Sequence, residues 1–194
     1  VVGYPIYSGS VGGPGNDIIS INNGGVQGPA GPPGPEGPPG PSGLSNFGFA
    51  TSSTTQTNPV TNAVNLVTFD AISPASDVGL AGGGTEIVVV NAGTYTKLFT
   101  IIVSKTSGGT SSVTIWLRYN GTDLPGSAQP LQLINTLSEI FVTGNYTLQM
   151  AAGSNIQMCW TSNDTTISLA LLPAGTAPAS PSGYSAKVTL TRIG

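Results

Sequence analysis

Between Gly25 and Ser45 glycine falls on every third position without a break, at Gly25, Gly28, Gly31, Gly34, Gly37, Gly40 and Gly43, and seven of the chain's 16 prolines lie in the same segment. A strict three-residue glycine period is what three polyproline II strands wound about one axis require, because only glycine fits at the crowded centre. The segment predicts a rod about 60 Å long at roughly 3.1 Å per residue, and with it a molecule of three chains. Proline fills the third position of a triplet only at Pro33 and Pro39, so seven triplets are not expected to hold three chains together unaided. The trimerising element is expected in residues 46–194, which are long enough for one domain with its own core.

That remainder reads as all-β. Apolar and β-branched runs recur over residues 65–69, 85–90, 94–103, 111–119, 131–133, 139–142, 146–151, 155–160, 165–172 and 184–193. Turn formers separate them, among them Gly82-Gly83-Gly84, Asn120-Gly121, Gly144-Asn145 and Asn163-Asp164. In the last run Ala186, Val188, Leu190 and Arg192 alternate with Lys187, Thr189, Thr191 and Ile193, the period of a strand with one buried face. Eight to ten short strands over this length predict a two-sheet sandwich of jelly-roll type. The first 24 residues match neither part. Their glycine-rich start and the short apolar patch Ile18, Ile19, Ile21 cannot build a core, so they are read as an extended arm and candidate anchor that orders against a host surface.

Chemistry is scarce. The chain has no histidine, one cysteine, and 5 Lys+Arg against 8 Asp+Glu. Histidine triads, histidine zinc sites, cysteine metal clusters and intrachain disulfides are thereby excluded. Five scattered cations and a net charge of -3 do not suit a nucleic-acid partner, which is held by several Lys or Arg contacts to phosphate. No run approaches the roughly 20 apolar residues of a membrane-spanning helix, and Val1–Gly15 has neither the basic start nor the apolar centre of a signal peptide. No phosphate loop, dinucleotide fingerprint, Ser-x-x-Lys or calcium-loop pattern occurs, and the acids are dispersed near turns. The expectation is a non-enzyme with no cofactor and no metal site. Cys159, beside Trp160 in an apolar strand, reads as a buried structural thiol. Trp116 lies on the opposite face from Val113, Ile115 and Leu117, as core, intersubunit contact or carbohydrate platform.

Two resemblances add to this. A collagen-like stalk followed by a β-sandwich of this length resembles the C1q/TNF-like organisation, with Gly93-Thr94-Tyr95 similar to its strand opening, Asn120-Gly121 to its hairpin and residues 184–193 to its closing strand. The resemblance implies a trimeric jelly-roll head that registers the triple helix. Residues 116–125 (WLRYNGTDLP) and 156–165 (IQMCWTSNDT), followed by a Pro-rich link and the closing strand, resemble virion structural proteins of tailed bacteriophages, cyanophages included. That second likeness, over about residues 85–194, implies capsid decoration, head fibre, or tail-fibre and spike roles.

The reading is therefore a homotrimeric virion protein on the outside of a phage particle, assembled in the host cytoplasm and contacting capsid or other virion proteins. Residues 1–24 would be the arm, 25–45 the stalk and 46–194 the head. The main alternative is a tail-fibre or spike module that recognises a host-surface glycan or protein, with Tyr119, Asn120 and Asp123 as its candidate residues at the head tip. A cellular collagen-like surface filament is the third.

Overall fold

The computed structural model describes residues 31–34, 46–134 and 139–194. The chain divides into two units, Val1–Pro39 and Gly40–Gly194, each taken by itself. In the first, residues 31–34 are exposed and outside regular secondary structure. The arm with Ile18, Ile19 and Ile21, and the triplet glycines Gly25, Gly28, Gly37, Gly40 and Gly43, lie outside the described residues.

In the second unit the described strands are β1 Phe47–Ser52, β2 Gln56–Thr57, β3 Asn65–Leu66, β4 Ala71–Ser76, β5 Val78–Ala81, β6 Glu86–Val89, β7 Gly93–Lys105 and β8 Ser111–Tyr119. They continue with β9 Thr122–Asp123, β10 Gln129–Leu133, β11 Glu139–Met150, β12 Asn155–Ser162, β13 Ile167–Leu169, β14 Gly175–Thr176, β15 Ala179–Ser180 and β16 Ala186–Arg192. Ten of these have four residues or more, within the range the turn spacing predicts. No α-helix occurs among the described residues.

All pairings are antiparallel. One sheet, A, runs β11–β7–β16–β1–β4, with β13 and β2 continuing beside the C-terminal end of β7. The other, B, runs β10–β8–β12–β6–β5, with β3 on β12 and β9 on β8, while β14 and β15 form a separate ribbon. Along the chain the strands pass from B to A and back: β6 in B, β7 in A, β8 and β10 in B, β11 in A, β12 in B, β16 in A. Neighbours in space are thus mostly distant in sequence, the winding of a jelly roll.

The core lies between the sheets, as the alternation requires. From A it receives Tyr95, Phe99, Ile101 and Val103 of β7 and Ala186, Val188 and Leu190 of β16; from B, Val113, Ile115 and Leu117 of β8 and Ile156, Met158 and Trp160 of β12. Burying each Val, Leu, Ile, Phe or Met side chain among them contributes about 1.5–3 kcal/mol.

Two sequence expectations need correction. Gly144-Asn145 is no turn: residues 139–150 are one strand paired with β7 from end to end. Gly144 stands inside the sheet because the Phe99 ring fills the place of its missing side chain. Strands β1, β4 and β5 are not in the apolar pattern, because small and polar residues interrupt FGFATS, AISPAS and VGLA; β1 is held by pairing with β16, β4 by pairing with β1 and β5 by pairing with β6. The Asn120-Gly121 hairpin is where the sequence places it. Arg118 pairs with Asp123 and Tyr119 with Thr122, and the two loop residues have φ of 45° and 79°, the left-handed pair a tight hairpin turn demands.

Candidate functional site

Strand directions give the head two ends. The strands β7, β12 and β16 place Gly93, Asn155 and Arg192 at one end and Lys105, Ser162 and Ala186 at the other. The chain enters at the first of these. Asn46 is buried there, its backbone carbonyl accepting from the Arg192 backbone N–H at 2.8 Å and its side-chain amide donating to Asp77 Oδ2 at 3.1 Å. The C-terminal Gly194 lies at the same end, accepting from the Thr94 backbone N–H.

This entry end also holds Tyr119, Asn120 and Asp123, and it does not gather them into one site. The Asp123 Oδ1 accepts from Trp116 Nε1 and from Arg118 Nε, each at 2.8 Å, on the outer face of B. The indole N–H, and after it the guanidinium, hold this exposed carboxyl below the ordinary range. Tyr119 points to the opposite face of the hairpin, packs against the core, and accepts from the Ala151 backbone N–H at 3.2 Å. Its phenol is lowered by hydrogen bonding, first with Ser154 and then with Ala151. Asn120 Oδ1 accepts from the Asn155 backbone N–H at 2.8 Å. Tyr119 and Asn120 are thus engaged in joining the hairpin to the β11–β12 connection, and Asp123 in closing the hairpin on its own β8 strand.

Trp116 is half-buried outside the core cluster, its N–H committed to Asp123. Cys159 is fully buried, and burial raises its thiol. At Gly31 and Gly34 a Cβ would meet nothing within 4 Å in the single chain. No cluster of metal-ligating side chains occurs among the described residues.

The two outer faces differ in character. That of B carries Ser112, Thr114, Trp116 and Arg118 along β8. That of A is a threonine-rich face, with Thr94, Thr96 and Thr100 on β7, Thr143 and Thr147 on β11 and Thr189 and Thr191 on β16, interrupted by apolar side chains: Leu98 is 51% exposed and Phe141 59%, with Tyr184 at 45% just before β16 and Ile193 at 57% beyond its end. A shallow cavity of about 150 Å³ opens on this face, lined by Thr100, Ile102, Phe141, Leu172, Tyr184 and Lys187. Sequence periodicity assigns faces, but that Leu98, Phe141 and Tyr184 come out on the same side depends on the strand order, which local pattern does not give.

Two further groups escape a motif search. Lys97 projects from β7 into the core with no exposure, its Nζ 5.7 Å from the Phe99 ring centre and without a hydrogen-bond acceptor. Burial lowers its amine to about 7. Lys105, also fully buried, lies 3.7 Å from Asp164 Oδ2 and donates to the Gly109 carbonyl. Asp164 further accepts from Ser111 Oγ at 2.6 Å and from the backbone and hydroxyl of Thr166 at 2.8 Å, which together lower its carboxyl to about 2.

No protein-family model matches the chain, and no curated protein matches it. Among solved structures the chain is similar to the globular domain of the zebrafish complement 1qA protein, at 12% identity and a TM-score of 0.48 over 77% of this chain and 98% of that one. The jelly-roll assignment rests on the strand order itself.

Proposed function

We propose that the chain is the subunit of a homotrimeric structural appendage, a capsid-decoration or head-fibre protein on the outside of a phage particle. Its parts would be an arm at residues 1–24 that docks on the shell, a stalk at 25–45 and a head that closes the trimer. The observation that carries the reading is the group of large apolar side chains left exposed on the outer side of sheet A, Leu98, Phe141 and Tyr184, in a chain that also contains seven unbroken Gly-X-Y triplets. Three copies burying that face would bring three stalk segments together, and three weakly bound arms acting together would give firm attachment through avidity.

Light scattering on the full chain tests the trimer: three times the chain mass is expected, and Leu98→Glu with Phe141→Glu should return it to one. A wild-type monomer at micromolar concentration sinks the reading. Cryo-electron reconstruction of particles carrying the protein tests the location. Trimeric knobs on the shell are expected, and density confined to the tail would favour receptor recognition instead.

A further inference from the structure

We infer that Glu139 of each copy pairs with Lys187 of the next, so that the three heads close in one register around the threefold. The pair rests on the homotrimer proposed above and adds the contact that fixes how its copies meet.

Most charges of the head are already engaged. Lys97 and Lys105 are fully buried, Arg118 is paired with Asp123, and Arg192 donates to the Asn46 side chain and the Gly194 carbonyl. Among the described residues Lys187 is the cation left exposed without an ion pair, and Glu139 is an exposed acid in the same condition. Alternation turns both to the outer side of sheet A. Glu139 stands opposite Ser104 and on the same face of β11 as Phe141, while Lys187 stands opposite Thr100, between the core residues Ala186 and Val188 of β16. No other charged side chain among the described strands of A points outward.

Within one chain the two do not meet. Strand β7 lies between β11 and β16, and with the offset from Ser104 to Thr100 their Cα atoms are about 16 Å apart at ordinary strand spacing and rise. Both border the side chains that the trimer would cover: Lys187 and Phe141 line the same cavity, with Tyr184 beside them. Copies that bury Phe141 and Tyr184 also draw Glu139 and Lys187 out of water, and a charge desolvated without a partner is costly. Opposite charges brought face to face offset that loss and reject registers that set like charges together. A threefold ring is built from a head-to-tail contact, in which one patch of a surface meets a different patch on the next copy. An acid on the edge strand and a base two strands further in suit such a contact, each copy giving one and receiving the other.

The test is charge exchange in the full chain, read by light scattering over a dilution series. Glu139→Lys and Lys187→Glu should each raise the concentration at which half the chains are trimeric by about tenfold or more, and the chain carrying both should return to within about threefold of wild type. Both residues are exposed, and an unchanged far-ultraviolet circular dichroism spectrum confirms that each variant folds. A wild-type trimer that neither reversal weakens, or single losses that the exchange does not restore, overturns the pair and leaves the trimer standing. A wild-type monomer at micromolar concentration overturns both.

Discussion

Gly144 of β11 faces Phe99 of β7 across the ladder, and the phenyl ring occupies the space a Cβ at position 144 would need. The same ring stacks on Tyr146, with centroids 6.2 Å apart and planes within 2°. Tyr146 in turn donates to the Ser127 carbonyl and accepts from the Gln129 side chain, each at 3.0 Å. One missing side chain therefore lets an aromatic pair lie flat in the core and tie the edge strand of A to the β9–β10 connection of B.

Gly144→Ala should accordingly destabilise the head by about 1–3 kcal/mol, the usual cost of forcing extra volume into a packed site. Urea unfolding measures it. Phe99→Leu in the same chain should recover part of the loss, and an alanine variant as stable as wild type would show that the ring moves aside freely.

The contrast between Gly144 and Gly121 explains how much of this fold was legible. Both sit in a pair of turn formers, but Asn120-Gly121 is flanked by residues whose side chains satisfy a hairpin, whereas Gly144-Asn145 lies between strand-forming runs and is explained only by a ring 45 residues away in sequence. The long strands follow from local alternation, since each has one face on the core. The β1 and β4 strands do not, because their stability comes from partners distant in sequence. The site suffered most. Tyr119, Asn120 and Asp123 are neighbours in sequence, yet the pleat sends Tyr119 and Asp123 to opposite faces, and the end they occupy is fixed by where Asn46 enters.

Asp164 sets an acid limit to stability. Its carboxyl is lowered from 3.8 to about 2, chiefly by Ser111 and then Thr166, so the unfolded chain takes up its proton first as pH falls. The stabilisation is complete above pH 4 and disappears as pH falls through about 2; with solvent screening it amounts to about 1 kcal/mol. Asp164→Ala should cost more, about 2–3 kcal/mol at pH 7, because it also leaves the buried Lys105 without its partner. Chemical denaturation at pH 7 and pH 3 checks both: a variant gap that does not narrow on acidification contradicts the assignment.

Cys159 should be silent to thiol reagents in the folded head. It is fully buried, and burial raises its thiol, so both access and thiolate are lacking. Labelling by a disulfide reagent at pH 8 should be slow and should accelerate in step with global unfolding by urea. Rapid stoichiometric labelling of the native protein would place the thiol at the surface.

Lys97 supplies the reverse pH dependence. In the unfolded chain its amine keeps a proton to about pH 10, whereas in the core burial lowers it to about 7. Between these values the unfolded state binds more protons, so stability rises with pH, by on the order of 2 kcal/mol from pH 7 to pH 9. Below pH 7 both states hold the proton, and the full penalty of a buried, unpaired cation remains. Lys97→Met should therefore raise the melting temperature at pH 7 and remove most of the rise between pH 7 and pH 9. A variant less stable than wild type at pH 7, or a pH slope unchanged by the substitution, would mean that the amine reaches solvent or an acceptor in the folded head.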